Sequence, residues 1–108
     1  MEKLDVPQGT LELMILTILR REPQHGYGVS QRLAALSRET FQVNPGSLFP
    51  ALYRLEQEGK LTAEWKPSEN NRHAKYYKLT AAGKRQLDQQ RRRWDRIAFA
   101  ITGVLEGA

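Results

Sequence analysis

The spacing of apolar residues changes twice along this 108-residue chain, and the two changes constrain its fold more than any other feature. Up to Gly59 the apolar residues recur every three or four positions, which is the spacing of amphipathic helices. From Leu61 to Leu79 they alternate as in strands, and after Thr80 the helical spacing returns. The pattern predicts a mainly α-helical chain with one β-hairpin.

Two helices are predicted in the first third of the chain. The first covers residues 11–21, and its apolar residues lie nearly all round, so it is expected to be buried on more than one side. Thr10 is the predicted N-cap of this helix. The second covers roughly residues 27–37 and follows a turn at residues 25–28.

The third helix has two possible starting points. If Asn44 is the N-cap, Pro45 takes the first helical position and Pro50 falls in the second turn, where it forfeits a backbone hydrogen bond. If Ser47 is the N-cap, Pro50 lies in the first turn, where amide groups lack helical partners in any case. Gly59 supplies the C-terminal stop in both interpretations.

The hairpin and a long last helix complete the predicted elements. Residues 67–71 have the composition of a turn, and the segments on either side of it form the two strands. Thr80 is the predicted N-cap of a helix that runs from Ala81 to about Leu105. We therefore divide the chain into residues 1–79, which contain the three helices and the hairpin, and residues 80–108, which contain the long last helix.

The last helix carries a stripe of apolar residues at alternating spacings of three and four, a seam typical of paired helices. Packing on its own domain is one interpretation. We favour dimerisation, because a terminal helix beyond a complete small domain needs a partner that buries it. The predicted interface residues are Leu87, Trp94, Ile97, Ile101 and Val104.

Three helices followed by a hairpin are the order of a winged helix-turn-helix, here extended by a long C-terminal helix. When the leucines of the third helix face inward, its opposite face is free to enter the major groove, and its N-terminal amides favour phosphate. The predicted DNA-binding residues of this region are Asn44, Gly46, Ser47, Pro50, Tyr53 and Arg54.

The hairpin adds basic and aromatic residues to the predicted DNA surface. Arg72 and Lys75 are the expected phosphate contacts, and Tyr76 is interleaved with the basic residues of this strand. Alternation places Lys75 on the same strand face as Tyr77, but we expect it to project beyond the edge of so small a core. Tyr76 is expected on the outer face.

The charge distribution favours a polyanion as the partner. The chain has 17 Lys and Arg against 12 Asp and Glu, a net charge of +5. Residues 1–40 carry no net charge, and the basic excess lies in the later two-thirds of the chain.

The sequence contains no motif of a catalytic or metal site. Because cysteine is absent, and because neither histidine is spaced from a nucleophile or a second ligand as in such a motif, we predict no enzyme, no metal and no cofactor. A cytoplasmic location is expected, since no leader or apolar run of bilayer length is present.

Four short segments, in this order, resemble the PadR family of transcriptional regulators over about residues 8–105. They are Gly9-Thr10-Leu11-Glu12-Leu13, His25-Gly26-Tyr27-Gly28, Pro45 through Glu56, and Arg72 with Lys75 through Thr80 and Gly83. Phe49 departs from the pattern, which usually has tyrosine there, and the hairpin tip is less glycine-rich and carries Glu69.

The resemblance implies a bacterial homodimeric repressor that binds an inverted-repeat operator with its third helix and wing. A single C-terminal helix is similar to the small subfamily, whose members are associated with planar aromatic effectors held near a tryptophan of that helix. The residues that this implies for an effector site are Leu13, Thr17, Trp94, Ile97 and Ala98. The alternative is a winged-helix protein-interaction module that does not bind DNA sequence-specifically.

Overall fold

The computed structural model describes residues 2–107 of the chain. Four helices and five strands lie within this range, and they confirm the predicted mainly α-helical fold with one hairpin. In chain order they are β1 (Leu4–Asp5), α1 (Leu11–Arg21), β2 (Gln24–His25), α2 (Gly26–Leu36), β3 (Phe41–Gln42), α3 (Pro45–Gln57), β4 (Leu61–Pro67), β5 (His73–Leu79) and α4 (Ala81–Gly107).

The core lies where α1, α2 and α3 meet the base of the hairpin. Helix α1 is central and packs against all three other helices, which explains why its apolar residues lie nearly all round. Burial of a large aliphatic side chain contributes about 1.5–3 kcal/mol, so this cluster dominates the stability of the domain. Its fully buried large side chains are Ile15, Leu16, Val29, Leu48, Leu52 and Leu55.

The hairpin is antiparallel, and its register places Leu61 opposite Leu79 and Ala63 opposite Tyr77. Strand β2 extends it to a three-stranded sheet in the order β2-β5-β4. The sequence predicted only a turn at β2, because two residues are too few for a strand period to be detected. A second small sheet pairs β1 with β3 in parallel.

The helix ends decide the question left open for α3. The Asn44 Oδ1 atom accepts a hydrogen bond of 2.7 Å from the Gly46 amide, so Asn44 is the N-cap and Pro50 lies inside the helix. Gly59 ends α3 with φ +76°, a value that favours glycine, and the amides that follow bond back to α3. Thr10 is the N-cap residue of α1 as predicted, but its side chain does not bond to the helix, because its hydroxyl donates to the Pro7 carbonyl instead.

Helix α4 starts inside the domain and then leaves it. Thr80 is the N-cap as predicted, since its Oγ1 atom accepts a 3.0 Å hydrogen bond from the Gly83 amide. Leu87 is only 4% exposed and belongs to the core of its own chain. The placement of Leu87 in a dimer interface is therefore wrong: the first turns of α4 pack on α1 and β5, so this residue has no surface to offer a partner. None of the helices within residues 2–107 is long and apolar enough to cross a membrane.

Candidate nucleic-acid interface

The outer side of α3 is a slim, exposed surface backed by the core. Leu48, Leu52 and Leu55 are buried on the inner side and fix the orientation of the helix. The opposite side, which we call the α3 face, bears small residues near its start and the phenol of Tyr53, which is 60% exposed. The structure brings together there five of the predicted residues: Asn44, Gly46, Ser47, Pro50 and Tyr53.

Arg54 is also exposed, but its guanidinium already has a partner. It donates a 2.7 Å hydrogen bond to the Glu12 carboxylate on α1. The other oxygen of this carboxylate lies 3.4 Å from the Gln90 amide nitrogen on α4. Arg54 is therefore tied to α1 and, through Glu12, to α4, and this ion pair restricts the directions in which its remaining N–H groups can reach a base.

The hairpin places its predicted residues in three different settings. Arg72 is exposed at the tip, as the sequence predicts. Lys75 folds back onto α3, where its ammonium group lies 2.7 Å from Glu56 Oε1. The expectation that Lys75 projects freely beyond the core is wrong, because alternation gives the strand face of a residue but not an acidic partner on another element.

Tyr76 lies on the strand face opposite the buried Tyr77, as alternation predicts, but it is half-buried rather than freely exposed. Strand β2 lies beside β5 and brings the His25 ring edge-on to the Tyr76 ring, with 5.1 Å between the centroids. The ammonium group of Lys66 lies 4.5 Å from the centroid of the same ring, a cation–π contact. Tyr76 thus joins β2 to the hairpin, and its fit to DNA stays a prediction.

The electrostatics of the hairpin follow from these contacts. The hydrogen bond that the Lys75 ammonium group donates to Glu56 raises the pKa of Lys75 above its ordinary value, so this amine stays protonated at neutral pH. Burial raises the pKa of Tyr77, whose ring lies under the Lys75 amine with 5.4 Å between nitrogen and centroid. Both groups therefore keep one protonation state across the physiological range.

A second edge of this surface was not predicted from the sequence. A depression of about 410 Å³ separates the start of α2 from the hairpin tip. Tyr27 and Gln31 line one side of it, and Arg72 and His73 line the other. His25 accepts a 2.9 Å hydrogen bond from the Gly28 amide on Nδ1, which leaves the ring proton on Nε2. The available signal was Tyr27, an aromatic residue directly after a turn.

The residues expected to bind an effector do not all lie together. Leu13, Thr17 and Trp94 line an apolar groove of about 460 Å³ between α1, α2 and α4. Ile97 borders a separate depression of about 230 Å³ beside the start of α1, and Trp94 and Leu13 are shared by both. Ala98 lines neither of these cavities. The Thr17 hydroxyl donates to the Leu13 carbonyl at 2.7 Å and is thus engaged within its own helix.

The later part of α4 presents an exposed apolar stripe. Trp94 and Ile97 are about 40% exposed, and Ile101 and Val104 are more exposed still. Trp94 and Ile97 are partly covered where they border the depressions beside α1, and Ile101 and Val104 lie further along the helix. This stripe, which we call the α4 stripe, consists of Trp94, Ile97, Ile101 and Val104.

The arrangement of α3, hairpin and terminal helix agrees with the results of comparison to known proteins. Residues 15–89 match the sequence profile of the Transcriptional regulator PadR-like family. The chain belongs to the PadR-like family. A member of known structure has the same fold over most of both chains, and the predicted winged helix-turn-helix with a long C-terminal helix is thereby confirmed.

Individual PadR-like and related proteins match most of the chain. Transcriptional regulator Rv3488 of Mycobacterium tuberculosis is 35% identical over 96 residues, 89% of this chain and 86% of its own length. The crystal structure of a PadR-like transcriptional regulator from Bacillus cereus superposes with a TM-score of 0.80 at 30% identity, covering 94% of this chain and 96% of that one. A PadR family regulator from Eggerthella lenta gives a TM-score of 0.78 at 31% identity, covering 94% and 86%.

Proposed function

We propose that this PadR-like transcriptional regulator is a homodimeric repressor that binds an inverted-repeat operator and releases it on binding a planar aromatic molecule. The observation that carries the proposal is the exposed α3 face, which lies beside a basic hairpin and is held in place by three buried leucines. The proposal includes no catalytic step, and it places the protein in the cytoplasm, where operator DNA is accessible.

The α3 face suits close approach to a DNA groove. Gly46 and Ser47 are small, and Pro50 has no amide hydrogen, so backbone and DNA edges can come near each other. Tyr53 then supplies the large side chain at the centre of the helix. Arg72 at the hairpin tip is positioned to hold a phosphate, and Tyr27 and Gln31 offer further polar groups on the same side. In this arrangement α3 is the recognition helix and the hairpin is the wing.

The α4 stripe supplies the surface for the second copy. A row of four large apolar side chains that is left exposed to water on one side of a projecting helix marks a surface that another protein covers. A second copy, related by a twofold axis, would cover the stripe with the same stripe and would present two recognition helices to successive turns of DNA. Two copies of one chain thus match the symmetry of an inverted repeat.

The groove beside Trp94 suits the proposed effector. Its volume of about 460 Å³ lies within the range of small-molecule sites. Leu13, Leu33 and Phe41 make its walls apolar, and the ion pair of Arg91 and Asp95, 3.9 Å apart, forms its charged edge. An aromatic ligand would stack on the indole, which is only partly covered by its own chain.

The test is binding to the DNA upstream of the protein's own gene, measured by gel shift with random duplex as competitor. The proposal predicts a shifted band that resists competitor, and release by members of a panel of aromatic cations and phenolic acids that also quench Trp94 in a Trp65→Phe background. Equal and weak binding to both DNAs would instead favour a protein-interaction module. Quenching without release would remove the effector from the proposal.

A further inference from the structure

One ion pair joins the recognition helix to the wing. Glu56 lies in the last turn of α3 and Lys75 on β5, with 2.7 Å between Oε1 and Nζ. Among residues 2–107 no second ion pair connects these two elements. Both side chains are about three-quarters buried, so water screens their attraction less than it screens an ordinary surface pair.

The surroundings of the pair hold it in one geometry. The Lys75 amine lies over the buried Tyr77 ring, which fixes its stem, and the hydrogen bond to Glu56 raises its pKa. Glu56 lies at the C-terminal end of α3, where the helix dipole disfavours a carboxylate. Lys75 offsets that unfavourable charge, so each member of the pair needs the other.

Beyond this pair the outer half of the hairpin has little contact with the domain. Trp65, directly opposite Lys75 on β4, is 68% exposed, and the residues that follow it are exposed up to the tip. On β5 the buried positions end at Tyr77. The ion pair therefore lies at the point where the supported base of the hairpin becomes a free arm.

We propose that Glu56 and Lys75 form a positioning pair, which sets the angle between wing and recognition helix so that both reach one duplex together. The inference rests on the proposed function. It assigns Lys75 a role different from that of a phosphate contact, because an amine neutralised by a carboxylate releases no counterion from DNA. Arg72, which is exposed at the tip, keeps the role of phosphate contact.

The two roles predict different salt dependence. Operator affinity is measured between about 50 and 200 mM salt for Lys75→Gln, Glu56→Gln, the double Gln variant and the charge-swapped Glu56→Lys/Lys75→Glu variant. We expect each single variant to weaken operator binding about three- to tenfold with an unchanged salt slope. The double Gln variant is expected to be no weaker than either single variant, and the swapped variant to recover most of the loss. Arg72→Ala is the control, and its slope is expected to fall by about one.

A second measurement does not involve DNA. Hydrogen exchange of the free protein is expected to accelerate at residues 64–67 and 73–76 in Lys75→Gln and in Glu56→Gln, and to stay unchanged in Arg72→Ala. A folded core is verified by unchanged exchange in α1.

Three results would overturn the inference. A salt slope that falls by one in Lys75→Gln, together with unchanged or tighter binding by Glu56→Gln, would make Lys75 a phosphate contact. Unchanged affinity in both single variants would leave the pair without a role in binding, and unchanged hairpin exchange would show that it does not hold the wing. Failure of the wild type to prefer operator DNA would instead contradict the proposed function, and hydrogen exchange would still test whether the pair holds the wing.

Discussion

Arg54 and Glu12 are 42 positions apart in sequence, yet their side chains form a hydrogen-bonded ion pair. Glu12 also lies within 3.4 Å of Gln90, so one carboxylate joins the recognition helix, the central helix and the terminal helix. The sequence placed Arg54 correctly on the outer side of α3, since helical geometry fixes the direction of a side chain. It did not reveal Glu12 as a partner, because periodicity within one element carries no information about a charge on another. The same reason applies to Lys75 and Glu56.

The Arg54–Glu12 pair yields a prediction at this scale. Glu12→Gln is expected to release the guanidinium, so that binding to random DNA tightens and the salt slope steepens by about one. The loss in free energy of unfolding is expected to be small, about 0.5 kcal/mol, since both groups are partly exposed. Glu22→Gln, at the other end of α1, is the control. If both variants give the wild-type slope in a salt titration, Arg54 is not held back by Glu12.

At the scale of elements, the long segments are easier to predict from the sequence than the short ones. The four helices and the hairpin each contain enough residues to show a period, and the composition of residues 67–71 identified the turn. Strands β1, β2 and β3 have two residues each, and they form only because folding brings them beside a partner strand. Strand β2 matters for the site, since it holds His25 against Tyr76.

Two glycines of α4 allow a matched prediction. Gly83 lies against the Lys60 carbonyl, and a Cβ there would collide with this backbone atom, whereas a Cβ on Gly103 meets nothing within 4 Å. Gly83→Ala is therefore expected to lower the free energy of unfolding by about 1–3 kcal/mol. Gly103→Ala is expected to raise it by about 0.5–1 kcal/mol through helix propensity. Urea unfolding measures both, and a stabilised Gly83→Ala would show that α4 does not start against Lys60.

The whole molecule is elongated, with extents of 54 × 34 × 22 Å, because the later part of α4 projects from the domain. A helix of 27 residues is about 40 Å long, and only its first turns pack on the core. The sequence predicted this projecting helix and four of its exposed apolar side chains. It misplaced Leu87, since the stripe continues without a break into the buried part of the helix and its spacing does not show where the core ends.

The proposed dimer leads to a prediction about the α4 stripe. Ile97→Asp/Ile101→Asp is expected to give monomers, because pairing would bury unpaired charges. Arg92→Asp/Arg96→Asp puts the same number of aspartates on the opposite side of the helix and is expected to remain dimeric. Sedimentation at tens of micromolar distinguishes the two. A monomeric wild type, or an Ile97→Asp/Ile101→Asp variant that remains a dimer, would rule out pairing through this stripe.

In the proposed function, α3 reads the base sequence and the hairpin holds phosphates. This division is tested most directly by measuring the affinity of Tyr53→Ala and Arg72→Ala for operator and for random duplex over a range of salt concentrations. Tyr53→Ala is expected to lose preference for the operator while its affinity for random DNA stays close to wild type. Arg72→Ala is expected to weaken binding to both DNAs alike and to lower the salt slope by about one. Equal losses on both DNAs for Tyr53→Ala, with the operator preference intact, would contradict base reading by the α3 face.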